Sequence, residues 1–400
     1  MKRFLVALLL SLSALPGFAQ IKLSPSARIS AITCGPGQEE LYSAFGHSAF
    51  RVYDSLQHLD IVFNYGIFDF DQPYFYLNFT RGYLYYKVAA YDYRDFQYGY
   101  LARQRFIHEQ ILNLSPDQNQ KLFAFLVNNV QPGNESYRYD YFYNNCATKL
   151  RDVLITVFGD ALQFDYSHIR TQYTIRDLTD LYIQEQQPWG DLGIDICLGL
   201  PMDKVATPYE YMFLPDYIES CFDHAYIKQN GERVPLVKQK VDDKSMIHRE
   251  WEPEQSSFHI HPLTVMLAFM VVCFLLTAFD LKRKKLSNWF DIITLVITGL
   301  LGLLLTVLWF FTDHAAAAKN FNLLWAFPLN LVAVMFVRRS YAWLMYYFLF
   351  LAIMMSLTVI FYKLLPQEIH YALIPLMLGL VARSATQYWI RKKNLSTTGL

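Results

Sequence analysis

After Pro262 the chain becomes almost wholly apolar, in runs at Leu263–Phe279, Phe290–Phe311, Phe321–Val337, Tyr341–Tyr362 and Ile369–Ile390. Each is near the roughly 20 residues that cross a bilayer core as a helix, although the third is short and the fifth carries Arg383. An all-α bundle of about five transmembrane helices is therefore expected over residues 262–400. Basic residues orient it: Lys282, Arg283, Lys284 and Lys285 follow the first run, Arg338 and Arg339 the third, and Arg391, Lys392 and Lys393 the fifth. The intervening loops hold only Lys319 and Lys363, so the C-terminus is expected in the cytoplasm and residues before Pro262 on the opposite side.

That earlier part is a different body. Lys2 and Arg3, the apolar run Phe4–Leu15 and the small residues Gly17 and Ala19 fit a secretory signal peptide over residues 1–19. Residues 20–261 are long enough for one globular domain with its own core. Strands are expected at Ser48–Tyr53, Asp60–Asn64, Tyr83–Val88, Gln104–Leu114 and Tyr137–Phe142, each bounded by turn residues. Ser115-Pro-Asp-Gln118 is a capping-box start for a helix running to about Asn129. The expected class is α+β.

Two short motifs carry the chemistry. After Cys146, Leu150, Val153, Leu154, Val157 and Phe158 fall at helical spacing, which predicts a one-sided helix over Ala147–Phe158 with the thiol in its first turn. The positive end of the helix dipole and the unpaired N–H groups there favour thiolate. Upstream, His47, Ala49, Arg51 and Tyr53 share one face of an extended segment, while Phe50 and Val52 share the other. His47 can then face a cleft as a base for the thiol. Asn64, on the next strand, is the candidate to orient His47, or else a turn residue before Tyr65-Gly66. Asn145 and the Cys146 backbone N–H are candidate oxyanion donors, and Asn145 is equally a candidate helix cap. Cys34, in a Gly-Pro-Gly loop, is a second candidate thiol by its spacing to His47. Cys34, Cys197 and Cys221 lie where disulfides are permitted.

Cys34-Gly-Pro-Gly, Glu40-Leu-Tyr-Ser-Ala-Phe-Gly-His47, Phe63-Asn-Tyr-Gly-Ile-Phe-Asp-Phe70, Asn144-Asn-Cys-Ala-Thr and Phe213-Leu-Pro215 together resemble the Bacteroidetes-type lipoprotein N-acyltransferase (Lnb) family. The order of histidine then cysteine, with asparagine before the cysteine, is also similar to permuted NlpC-type and lecithin:retinol acyltransferase-like thiol enzymes. The resemblance implies a permuted papain-like domain in the periplasm, anchored in the bacterial inner membrane. It also implies transfer of an acyl chain from a phospholipid or other glycerolipid, through a Cys146 thioester, to the N-terminal amine of a diacylated lipoprotein. Tyr42, Ser43 and Tyr65 within those motifs are the expected substrate-binding residues. In the third apolar run, Asn322, Trp325 and Asn330 form a polar and aromatic stripe that either holds lipid or bonds neighbouring helices.

A net charge of zero argues against a nucleic-acid partner. No metal-spaced His/Cys set and no Gly-rich phosphate loop occurs, so no metal or cofactor is expected. Two other classes remain open: a membrane-anchored thiol amidase or peptidase of the cell wall, and a non-enzymatic membrane receptor.

Overall fold

The computed structural model describes residues 21–37, 39–68, 71–242 and 260–398. The expected signal peptide, and the chain just before the expected boundary at 261, lie outside the described residues. β1 (Arg28–Cys34), β2 (His47–Asp54), β3 (Leu59–Ile67), β4 (Tyr85–Asp92), β5 (Ile107–Leu112), β6 (Ser136–Arg138) and β10 (Val237–Asp242) form one sheet in the order β10-β5-β1-β2-β3-β4-β6. All its pairings are antiparallel. The helices that accompany this sheet are α1 (Phe75–Arg81), α2 (Tyr93–Leu101), α3 (Pro116–Asn129) and α4 (Cys146–Phe158).

Period-two alternation sends the two sides of each central strand into different cores. Phe50, Val52 and Phe63 meet Leu122 and Phe123 of α3 and Leu150 and Leu154 of α4 on one face. Ile32, Ala49 and Val62 meet Tyr93 and Phe96 of α2 on the other. The α3 start has the expected capping box, Ser115 with Gln118. The tail of the expected last strand does not pair as a strand: after Arg138 the chain turns, joined by an isolated bridge between Asp140 and Asn144.

A smaller antiparallel sheet of β7 (Leu162–Phe164), β8 (Ala225–Gln229) and β9 (Glu232–Pro235) follows α4, together with α5 (Ile175–Ile183), α6 (Pro188–Cys197), α7 (Pro208–Tyr211) and α8 (Pro215–Asp223). Arg176 on α5 is fully buried and pairs with Asp195 at 2.6 Å and Asp203 at 2.9 Å, which compensates its charge.

The C-terminal region is helical: α9 (Pro262–Arg283), α10 (Asn288–Phe310), α11 (Asn330–Phe336), α12 (Ala342–Ile360) and α13 (Leu373–Thr398). Among the described residues, three helices, α9, α10 and α12, are long and apolar enough to cross a membrane. The third expected span does not form as one helix. It is a 3₁₀ turn at Phe321–Leu324 followed by the seven-residue α11. Pro328 stands between them, and a proline ring displaces the carbonyl four residues back while offering no N–H. The fifth run does form a long helix, α13, but it buries Arg383, Gln387 and Arg391. Arg383 bridges Asp280 and Asp291 at 2.8 and 2.9 Å, tying α13 to the facing ends of α9 and α10.

Side chains from the helical region also complete the sheet-bearing domain. The last carbonyls of α6 have no partner within their own helix. Asn320 Nδ2 donates to Ile196 O at 2.8 Å, Asn322 Nδ2 to Asp195 O at 3.2 Å and Gln367 Nε2 to Leu198 O at 3.0 Å. His370 meets Asp191 of α6 at 3.2 Å.

Candidate active site

Cys146 is the first residue of α4, and the helix start is over-determined locally. Asn145 Oδ1 accepts from the Thr148 backbone N–H at 2.9 Å, while Thr148 Oγ1 accepts from the Asn145 N–H at 2.8 Å, closing a reciprocal cap. Asn145 Nδ2 donates both its hydrogens, to Tyr141 O at 2.9 Å and Phe213 O at 2.7 Å. An amide so committed has no hydrogen left for an oxyanion, which corrects the expectation that Asn145 supplies one. Its work is to fix the thiol-bearing turn, and Phe213 of the Phe-Leu-Pro motif is one of the carbonyls it grips.

His47 opens β2, beside the start of α4. Its Nε2 lies 2.5 Å from Asn64 Oδ1 on β3, and Asn64 Nδ2 donates to the Tyr91 hydroxyl on β4 at 2.5 Å. With Asn64 oriented by Tyr91, its oxygen faces the ring, so Nε2 carries the proton and Nδ1 is left for the thiol. Cys146 lies beside the His47 ring, close enough that each side chain shifts the ionisation of the other. The residue order across three adjacent strands is thus His47, Asn64, Tyr91, with the thiol at the open end.

The electrostatics follow from this contact. Burial pushes the Cys146 thiol up, but the neighbouring imidazolium, its hydrogen bond and the backbone N–H groups of Ser48 and Ala147 outweigh burial and bring it below the ordinary thiol value. Burial pulls the His47 imidazole down; the thiolate, its hydrogen bond and Asn64 more than reverse that and raise it. Both shifts favour the thiolate–imidazolium pair. Cys146 is half-buried and so reachable. Beside it Gly66 sits at φ +92° in a β3 bulge, and a Cβ there would lie 3.7 Å from Cys146 Cβ and 3.6 Å from the Tyr139 ring. The missing side chain leaves the approach to the sulfur open.

Cys34 ends β1 directly opposite His47 in the β1–β2 register, so it does approach the site. It is fully buried, and burial raises its thiol far above the ordinary value despite Arg105 nearby. All five cysteines are free.

The expected substrate-binding residues divide. Tyr42 is exposed and meets the Phe68 ring edge-on at 6.3 Å. Ser43 is buried, its hydroxyl donating to Gly37 O and Glu40 O, and so it holds its own loop together. Tyr65 points into the core on the α3 side and its hydroxyl bonds Asn129 at 3.2 Å, because neighbours on a strand face opposite ways and Asn64 takes the site side. Asn322, Trp325 and Asn330 are all buried and mutually or internally bonded: Trp325 Nε1 to Asn322 Oδ1 at 2.9 Å, Asn330 Nδ2 to Thr298 at 2.8 Å and the Tyr347 hydroxyl to Asn330 Oδ1 at 2.5 Å. Their polar atoms join elements of the fold, so of the two roles open to this stripe the bonds fit the joining of neighbouring segments and not the holding of lipid. Sequence reasoning missed Tyr91, Tyr100 and Arg105. Tyr100 stacks on His47 at 6.4 Å, and Arg105 lies over Tyr100 at 4.6 Å. The one signal for the two tyrosines is the density of aromatic residues in this part of the chain, and Arg105 has none.

Comparison with known proteins accords with this two-part architecture. No curated protein and no solved structure matches the chain. The family model described as the Lnb N-terminal periplasmic domain matches residues 20–180, and the one described as the Lnb transmembrane domain matches residues 253–395. With both domains matched in order along one polypeptide, the sheet-bearing part that holds Cys146 and the helical part that follows it, the chain is a membrane protein that belongs to the Lnb family.

Proposed function

We propose that this chain is a lipoprotein N-acyltransferase of the bacterial inner membrane, working through a Cys146 thioester. The observation that carries the reading is the His47–Asn64–Tyr91 series ending at a helix-start thiol, in a family whose name joins a periplasmic to a transmembrane domain. A thiol at a helix N-terminus, an imidazole on an adjacent strand and an amide behind it is the arrangement of papain-like thiol enzymes, here in permuted order with histidine first.

The Cys146 thiolate attacks the ester carbonyl of a phospholipid or other glycerolipid. The tetrahedral intermediate collapses, the C–O bond breaks, and the lysolipid alkoxide leaves with the proton held by His47. The free α-amine of a diacylated lipoprotein then attacks the thioester. His47 takes the amine proton, the C–S bond breaks, and an amide and the thiolate result. The Cys146 backbone N–H, in the first turn of α4, is the oxyanion donor in this reading. Residues 20–261 form the periplasmic domain behind a signal peptide at 1–19, and residues 262–400 cross the membrane about five times.

Purified protein incubated with phospholipid is expected to gain a hydroxylamine-labile fatty-acyl mass on Cys146, and Cys146→Ala none. A diacylated lipopeptide with a free amine is expected to discharge that thioester into an amide, and one with a blocked amine is not. Triacylated peptide made by Cys146→Ala refutes the mechanism. Discharge to free fatty acid with no amide product replaces it with a hydrolase.

A further inference from the structure

The short helix α1 presents an apolar face that the sheet domain does not cover. Phe75 is its buried anchor, in ring contact with Tyr76 at 5.4 Å and Phe79 at 6.0 Å. Around it Tyr74 and Tyr76 are each 77% exposed and Leu77 is 53% exposed. Tyr74, Tyr76, Leu77 and Phe79 thus expose four large, mostly apolar side chains within six residues.

The position of α1 is set by the helical region. The Asp313 backbone N–H donates to Arg81 O at 2.9 Å, His314 Nε2 lies 3.2 Å from Phe79 O, and Arg138 pairs with Asp313 at 2.8 Å. Gly82, at φ +81°, lets the two backbones touch, since a Cβ there would lie 3.0 Å from the Asp313 carbonyl carbon. Asp313 follows the end of α10 by three residues, and α10 is one of the apolar helices long enough to cross a bilayer. At about 1.5 Å per residue such a helix is about as long as the hydrocarbon core is thick. Phe310 and Phe311, at its end, are exposed as well. The α1 patch is therefore continuous with the lipid-facing end of a span, at the depth where tyrosine and other aromatic side chains collect in membrane proteins. On the stretch between β3 and α1 and on the strands beside it, Phe68, Tyr86 and Tyr139 follow one another at ring distances of 5.4 and 4.3 Å, and Tyr139 and Cys146 both adjoin Gly66.

We propose that the Tyr74, Tyr76, Leu77 and Phe79 face of α1 beds in the headgroup and acyl boundary of the leaflet on the catalytic side, where it admits the acyl chain of a glycerophospholipid to the aromatic path leading to Cys146. The occupant is the lipid leaflet itself. A soluble protein partner is disfavoured because it would have to cover Phe310 and Phe311 on the span at the same time. The admission step rests on the acyltransferase reading, whereas the bedding does not.

The test uses the full chain as Cys146→Ala, which cannot turn over, with Tyr76→Cys carrying an environment-sensitive fluorophore. It is reconstituted in phosphatidylethanolamine–phosphatidylglycerol vesicles with and without brominated acyl chains. A label at Leu56→Cys, an exposed position in the β2–β3 turn, serves as the solvent control, and Cys146→Ala alone as the labelling blank. The Tyr76 label is expected to be quenched at least twofold by brominated lipid and the Leu56 label not at all. Equal quenching at both positions overturns the bedding, whatever the chemistry at Cys146. Tyr76→Glu with Leu77→Glu is expected to slow acyl loading from vesicle phospholipid at least fivefold while leaving alkylation of Cys146 by a small water-soluble reagent unchanged. Unchanged loading overturns the admission step, and absence of loading in the wild type overturns the acyltransferase reading instead.

Discussion

Asn64→Ala removes the acceptor of the His47 Nε2 proton and leaves the strand backbone intact. The bond is charge-assisted once His47 is imidazolium, and such bonds contribute about 1.5–3 kcal/mol to stability. Because burial already disfavours the charged ring, the loss falls on the thiolate–imidazolium pair, and each 1.4 kcal/mol is a factor of ten. The expected result is a roughly 10- to 100-fold lower thiolate population at neutral pH. Tyr91→Phe, which removes only the group that orients Asn64, is expected to cost several-fold, in line with the roughly 0.5–1.5 kcal/mol of an ordinary hydrogen bond. Asn64→Asp keeps an acceptor facing the ring and is expected to retain reactivity. The assay is the rate of iodoacetamide alkylation at Cys146 across pH, read by mass spectrometry, which needs no lipid substrate. The wild-type profile is expected to rise at lower pH than an ordinary thiol's and the Asn64→Ala profile at higher pH than the wild type's. Superimposable profiles for wild type and Asn64→Ala would refute the coupling of the three side chains.

Cys34→Ser is expected to keep substantial acyl-transfer activity, since burial holds that thiol protonated; full inactivation of a folded Cys34→Ser protein would move the nucleophile to Cys34. Asp180 on α5 is pushed up to about 9 by burial and by the charges of Asp195 and Asp191, so the folded chain holds it protonated. A carboxyl raised on folding costs nothing below its unfolded value of 3.8 and increasingly destabilises as pH rises toward about 9. Asp180→Asn is therefore expected to raise the melting temperature at pH 8 and to change it little at pH 4, and an equal change at both would refute the assignment. Reporters fused after Ser287 and after His314 are expected to read cytoplasmic and periplasmic respectively, and the reverse pattern would put the thiol site in the cytoplasm.

The site was more legible than the fold because its residues sit in short motifs whose local rules are strong. A helix-start cysteine, a strand histidine and an asparagine on the next strand need only element type and face, and the structure brings those three together. The same alternation forbade Asn64 and Tyr65 from sharing the site, which the motif resemblance overrode. β1 carries no period-two signal at all, since Ile29 through Cys34 are buried on both faces of the central sheet, and it was not foreseen. No element is expected over Tyr93–Leu101, where the Asp92 side chain caps a helix by accepting from the Arg94 N–H. The roles of Asn145, Asn322 and Asn330 depend on which carbonyls and hydroxyls tertiary packing brings within reach, and no local pattern encodes that.

The carbonyl end of α6 has a bearing on how such a chain is made. A ribosome releases the sheet-bearing domain first, with residues 195–198 still lacking their asparagine and glutamine donors, and Gln367 and His370 are synthesised more than 160 residues later. Until those later residues are made, the Ile196 and Cys197 carbonyls lack the Asn320 amide and Asp191 lacks His370, while Arg176 already donates to the carbonyls of Asp195 and Leu198. A secreted fragment ending near residue 261 would keep those defects permanently. Completion of the sheet-bearing domain is in this way tied to the folding of the helical region, and a chain whose last helix fails to pack leaves that domain unfinished.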